Sequence, residues 1–272
     1  MLTLLEGEAT LVVGARAYSA VVGARLGAGV LLETDAKASL LRLEWPDGTV
    51  LDLGPATRVM LRPPALAAGK PVPQSSYSTY PYYLLQGWAK QSQTAGLPGP
   101  LSNAFEVQAF KGVLVSQVDG NSGVSFAETG DKQFIGRRNG LPLTLRSGQA
   151  AVLGSDGVAQ VQARPPTGWL QRIPRAFRDT LPPRAAQFKG APPALKLRAS
   201  LSYAALQPWL TAEPALRRDF PARFAELLRE REFRAAVTSH LAQHPEWEPA
   251  LRPPKPKPKP VPAVATNPEP PR

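Results

Sequence analysis

Two histidines, His240 and His244, stand four residues apart, a spacing that can put both on one helix face as paired metal ligands are. No glutamate follows His240 as it does in zinc-protease helices, no third ligand is evident, and Pro245 closes the segment. The reading is a polar helix end, and no metal site is expected. A Ser-His-Asp relay would need one of these histidines to reach a serine of the β-rich half, and the G-x-S-x-G turn that exposes such a nucleophile is missing. No phosphate-cradling glycine motif follows a strand, and the absence of cysteine excludes disulfides and thiolate metal sites. Glu33, Asp35, Asp47 and Asp52 gather loosely around two turns without the D-x-D-x-D-G spacing of a calcium loop. Turn and edge roles suit them better, since aspartate bonds its own backbone in turns. No catalytic residue, metal or cofactor is expected, and the chain reads as a non-enzyme.

Residues suited to binding are easier to find. Arg172, Arg175 and Arg178 recur every third residue beside Trp169 and Phe177, with Arg184 further on. On a short helix or an extended stretch this makes a basic edge with aromatics near it, suited to carboxylates or phosphates. The competing reading is that Ile173, Phe177 and Leu181 pin the segment to a β-unit while the arginines pair with Asp179 and with acids of the helical region. Tyr77, Tyr80, Tyr82, Tyr83 and Trp88 could line a carbohydrate or peptide groove, or could simply pack as strand aromatics do. Lys255, Lys257 and Lys259 alternate with proline in an electrostatic tail.

These groups must be positioned by mainly β structure. Residues 2–63 read as short strands parted by glycine turns, with Leu41, Leu43 and Trp45 facing one way and Arg42 and Glu44 the other. Residues 64–83 form a Pro/Ala/Ser-rich linker that becomes a strand near Tyr82, and the β rhythm restarts over 84–164. Residues 165–199 are a Pro/Arg-rich strap, where repeated prolines forbid long regular elements. From Ser200 the apolar spacing turns helical: Phe220, Phe224, Leu227 and Leu228, then Phe233, Val237 and Leu241. Asp219 before Phe220-Pro221 reads as a cap, with proline in the first turn. The predicted fold class is two tandem β-sandwich or jelly-roll-like domains (1–63 and 84–164) and a small α-helical domain over 200–251. That domain is expected to pack on itself or on the second β-domain. A disordered Pro/Lys tail, 252–272, follows.

Charge is uneven along the 272 residues: the net formal charge is +11, yet residues 1–63 are close to neutral and the excess lies after residue 163. A basic half suits a polyanionic partner or a solvated surface. Basic and aromatic residues are not interleaved on strands as single-strand nucleic-acid binders need, so nucleic acid is not the favoured partner. No run approaches the ~20 apolar residues of a membrane helix. Met1 opens in the middle of a strand pattern, and the N-terminal residues show no basic n-region and no signal-peptide core. That leaves a cytoplasmic protein, or a start inside a longer precursor, which is the preferred reading.

The first β-unit resembles the FecR family. Leu4-Leu-Glu-Gly7-Glu-Ala-Thr-Leu11 is similar to its opening strand pair, and Gly27-Ala-Gly29-Val-Leu-Leu-Glu-Thr34 to its early glycine turn. Ser39 to Arg42 with Trp45-Pro-Asp47-Gly48-Thr49-Val50, and then Leu53-Gly-Pro55-Ala-Thr57, follow in family order. Leu85-Gln-Gly87, Phe105-Glu-Val107, Glu128-Thr-Gly130 and Ser147-Gly148-Gln149 extend the likeness into the second unit. The resemblance makes Gly7, Gly29, Thr34, Asp47, Gly48 and Gly148 structural motif positions. The chain departs from the pattern at Val30, where the family carries an acid, and lacks the family's G-T-x-F near Val113–Val118. The resemblance implies a twisted β-sandwich on the periplasmic side of the membrane, acting as an interaction or sensory-scaffold module. The relay to a sigma factor made by members with a cytoplasmic helical domain and membrane helix is not implied. Expected partners are a protein or an anionic cell-wall polymer. A cytoplasmic nucleic-acid binder using the basic C-terminal region, or a carbohydrate-binding jelly-roll protein, are the alternatives.

Overall fold

Alternating aliphatic residues divide this chain into short strands. The computed structural model describes residues 1–63, 79–138, 140–198 and 200–252. The first β-unit holds β1 (Leu2–Glu6), β2 (Ala9–Val13), β3 (Arg16–Ser19), β4 (Leu31–Thr34), β5 (Leu40–Glu44), β6 (Val50–Leu53) and β7 (Arg58–Leu61). The second holds β8 (Tyr82–Gln93), β9 (Phe105–Val107), β10 (Gly112–Asp119), β11 (Ser122–Thr129), β12 (Lys132–Gly136), β13 (Pro142–Leu145), β14 (Ala150–Leu153) and β15 (Ala159–Gln162). The protein is mainly β, with large antiparallel sheets followed by short C-terminal helices.

The long strand β8 belongs to both units. Its first half pairs with β7, from Leu61↔Tyr82 to Arg58↔Gln86. Its second half pairs with β6 and, on its other edge, with β10. The change of partner falls at Gly87, whose φ is +92° and where an added Cβ would lie 2.5 Å from the Thr57 Cα. Only glycine allows so close a backbone approach in that conformation. Thr57 uses the gap: its Oγ1 accepts from the Trp88 N–H at 2.9 Å, while its own N–H donates to Thr34 Oγ1 at 2.9 Å. Leu11, Leu32, Leu43, Leu53, Leu84, Phe105, Leu114 and Phe134 meet in one apolar core drawn from both units.

After β15 the chain makes α1 (Thr167–Arg172), an irregular strap, and the two-residue strand β16 (Lys196–Leu197), which pairs with β3. Among the described residues five helices follow: α2 (Tyr203–Leu210), α3 (Pro214–Arg217), α4 (Phe220–Arg223), α5 (Arg231–Ser239) and α6 (Glu248–Leu251), with 3-10 turns between. The helical pattern of 220–241 is thus broken into short pieces. Asp219 makes no capping bond: its φ of −91° and ψ of 0° leave it outside the extended conformation that lets a cap side chain turn back. Ser202 does cap, accepting from the Ala205 N–H at 3.2 Å.

The helices pack on one another, as expected, and their shared apolar cluster also rests on the first β-unit. Leu206, Trp209, Phe220, Phe224 and Trp247 join Val12, Ala15, Ala17, Leu31 and Met60, and Tyr83, Leu101 and the half-buried Leu85 come from the second unit. Ala15 in the β2–β3 turn and Ala17 on β3 are small and sit among the aromatic rings. Arg223 fixes the contact by donating to the carbonyls of Gly14, Gly29 and Val12 at 3.0, 2.7 and 3.0 Å.

Candidate functional site

The opposite β-face carries the strap. Arg42 and Glu44 on β5, Asp52 on β6 and Lys90 on β8 all point to that side, away from the core-facing Leu41, Leu43, Leu51, Leu53 and Ala89, and all four are buried. Arg42 and Asp52 form a two-bond fork, Nε to Oδ1 at 2.7 Å and Nη2 to Oδ2 at 2.8 Å. The remaining Arg42 nitrogen, Nη1, donates to the Leu181 carbonyl at 2.9 Å. Lys90 Nζ donates to the Phe177 carbonyl at 2.5 Å and pairs with Glu128 at 3.2 Å. Glu44 accepts from the Thr3 hydroxyl at 2.7 Å and from the backbone N–H groups of Arg184 and Ala185, both at 2.9 Å. Burial opposes the Glu44 charge, but these bonds outweigh it and hold the carboxyl below its usual pKa.

Charged side chains therefore bond the backbone of a segment whose prolines prevent regular pairing. This satisfies groups that burial would otherwise leave orphaned. Two aromatics complete the anchorage. The Trp169 ring lies 5.3 Å from Trp88 and 6.2 Å edge-on from Phe126, and Phe177 is buried beside it with Leu40 and Val115. Gly54 lies directly under the strap, where a Cβ would sit 2.8 Å from Pro174.

The expected basic edge is split by this packing. Trp169 and Phe177 are inside, while Arg172, Arg175 and Arg178 are exposed. Arg172 Nε bonds its own helix at the Gly168 carbonyl, 3.2 Å away. Among the described residues no carboxylate forms an ion pair with Arg172, Arg175 or Arg178, so Asp179 and the helical acids do not neutralise them. Arg184 is half-buried and contributes its backbone N–H to Glu44. Beside α1 a groove of about 520 Å³ runs along the β10–β11 hairpin, lined by Gln117, Asp119, Ser122, Trp169 and Arg172. The Trp169 indole nitrogen is buried there without a hydrogen-bond partner.

The other sequence candidates separate. His244 is buried, its Nε2 3.0 Å from the Tyr203 hydroxyl, and burial lowers its pKa. His240 stacks on Tyr203 at 5.1 Å and turns Nδ1 to its own helix at Ala236. Among the described residues no three His, Asp or Glu side chains gather as metal ligands would. Asp52 is the buried partner of Arg42, Glu33 bonds Arg58 at 3.2 Å and the Trp209 indole at 2.7 Å, and Asp35 and Asp47 bond nearby turn amides. Tyr82, Tyr83 and Trp88 enter three different cores. Gly7, Gly29, Gly48 and Gly148 sit in turns at positive φ, and Thr34 bonds the Gly54 carbonyl at 2.6 Å. Tyr77 and the tail lysines Lys255, Lys257 and Lys259 lie outside the described residues.

Sequence reasoning missed the strap-holding roles of Arg42, Glu44 and Lys90, and the clamp made by Arg223. Alternation showed that Arg42 and Glu44 leave the core face. It carried no sign that a second layer covers them.

No family profile matches the chain. No curated protein sequence matches it. Among solved structures, two crystal structures of a candidate anti-sigma factor from Parabacteroides distasonis are similar in chain course, at 15% and 14% identity, each with a TM-score of 0.40. Each comparison covers 52% of this chain and just under two thirds of the other, 64% and 65%.

Proposed function

We propose that the chain is a non-catalytic, FecR-like interaction module of the cell envelope, which engages an acidic partner through the strap. The observation carrying this reading is the division of labour along residues 169–184. Backbone and aromatics are bound to the β-face, while Arg172, Arg175 and Arg178 are left outward without carboxylate partners. On an anchored backbone, pairing with carboxylates or phosphates costs these guanidinium groups side-chain freedom but no further ordering of the main chain. The basic tail adds a salt-screened attraction of the same sign. Retention on immobilised poly-L-glutamate and on purified cell wall tests this. The full chain should bind at low salt and elute as ionic strength passes about 0.15 M, where the Debye length shrinks to ~8 Å. The triple variant R172Q/R175Q/R178Q should elute earlier with unchanged melting. Equal retention of the variant and the parent rejects the strap as the docking edge. Cell fractionation tests the envelope location: recovery only in cytosol rejects it.

A further inference from the structure

A separate cleft of about 410 Å³ has donors arranged around it, with Asn103, Asn121, Arg137, Arg138 and Ser155 on its walls and Leu153 among its apolar lining. Both arginines are held from behind. Arg137 Nη2 is fixed at 2.7 Å by Glu213, a carboxylate reaching from the start of α3. Arg138 Nη1 donates to the Asp156 carbonyl at 3.0 Å, and its aliphatic stem fills space kept open by Gly157. At Gly157 φ is +79° and an added Cβ would lie 2.3 Å from Arg138 Cδ. Asn103 Nδ2 donates to Asn121 Oδ1 at 2.5 Å, which leaves the Asn103 oxygen and the Asn121 amide hydrogens for a ligand. Among the described residues no carboxylate pairs with Arg138, and Asp156 spends one oxygen on the Val158 N–H at 3.0 Å.

The cleft is thus rich in donors, and one guanidinium fork there carries charge that no carboxylate compensates. We infer that this cleft binds a saccharide bearing a carboxylate, the carboxylate on the Arg138 fork and ring hydroxyls on the Asn103–Asn121 amides and Ser155. A planar carboxylate matches a guanidinium through two parallel bonds. The volume lies within the range of small-ligand pockets, about 300–1,000 Å³.

Chemical-shift titration of the full chain with D-glucuronate, D-glucose and D-glucose 6-phosphate tests the assignment. Glucuronate should bind, with glucose at least about tenfold weaker, since it forfeits the charge-assisted pair. Arg138→Gln should weaken glucuronate roughly 10- to 100-fold at unchanged melting temperature, and Arg138→Lys, which keeps charge but not the fork, should also weaken it. Asn121→Ala should weaken it less, and Arg172→Gln should leave it alone. Absence of glucuronate binding, equal binding of glucose, tighter binding of glucose 6-phosphate, or full affinity in R138Q would each overturn the inference.

Discussion

The first β-unit is covered on two faces by two different means. Helices cover β2, β3, β4 and β7, and their contact is apolar: Leu206, Trp209, Phe220 and Phe224 against Val12, Leu31 and Met60. The strap covers β5, β6 and β8, and much of its contact is polar: Arg42, Glu44 and Lys90 against strap carbonyls and amides. The difference follows from backbone bookkeeping. A helix satisfies most of its own N–H and C=O groups and can bury a wholly apolar face. A proline-rich strap satisfies few, so the surface beneath it must supply donors and acceptors. Even the helices obey this at their margin, where Arg223 answers open turn carbonyls at Gly14 and Gly29.

Breaking the apolar cover should cost most. Trp209 is fully buried and also bonds Glu33. Trp209→Ala should destabilise by about 4 kcal/mol, the usual scale for a large core aromatic. Hydrogen exchange should then show the helices opening while amides of Arg184 and Ala185 stay protected. Loss of protection in both places together would mean that the two covers are one cooperative unit.

The polar cover should respond through its charge pair. Asp52→Ala leaves Arg42 buried without its partner and should cost about 3 kcal/mol. The double variant R42M/D52L should recover most of that stability, since a buried pair often breaks even against apolar residues. It should still expose the chain near Leu181 to protease, because the donor to that carbonyl is gone. If the double variant resists cleavage as the parent does, the Arg42 bond does not hold the strap.

How much of this was legible in sequence depended on which groups carry each contact. The mainly β body and the helical C-terminal part were readable, because period-2 alternation and i, i+4 aromatic spacing survive in Leu41-Arg42-Leu43-Glu44 and Phe220–Leu228. The strap was readable as a segment from Pro174, Pro182, Pro183, Pro192 and Pro193, and its exposed arginines from their spacing. Its attachment was hidden, since charged side chains on β5 bond main-chain atoms some 140 positions later, and backbone atoms leave no mark in composition. The Asn103–Asn121–Arg138 cleft was hidden for a related reason: its walls come from four separate loops and strand ends, none a motif alone.

Acid distinguishes the covers more gently. The Glu44 pKa is lower folded than unfolded, so its contribution is complete above the ordinary glutamate value of about 4.3 and is lost as pH falls through the folded value. Glu213 and Glu246, near the helices, are shifted the other way by burial, so their effect on stability improves as pH falls. His244, lowered by burial, weakens the helical side as pH drops below about 6.5. Protection at Arg184 and Ala185 should therefore hold down to about pH 4.3 and weaken progressively below it. Glu44→Gln should lose about 1–2 kcal/mol at neutral pH and flatten that acid limb. An acid limb unchanged in the variant would remove Glu44 from the account.

The smallest effect should come from the turn between the covers. Gly54 lies beneath Pro174 and Phe177 of the strap, while Thr57 bonds Thr34, the neighbour of the Glu33 that holds Trp209. Within this turn Ala56 has a φ of +47°, a left-handed conformation that costs an L-residue about 1–2 kcal/mol and glycine almost nothing. Glycine gives back part of the gain as extra freedom in the unfolded chain, roughly 0.5–1 kcal/mol. Ala56→Gly should therefore raise stability by about 0.5–1 kcal/mol net, read as a higher urea midpoint with unchanged slope. Because relief of strain in the turn touches neither the strap bonds nor the helical contacts, protection should rise equally under both covers. A gain confined to one cover would show that the turn belongs mechanically to that side, and a loss would show that its left-handed alanine is not strained.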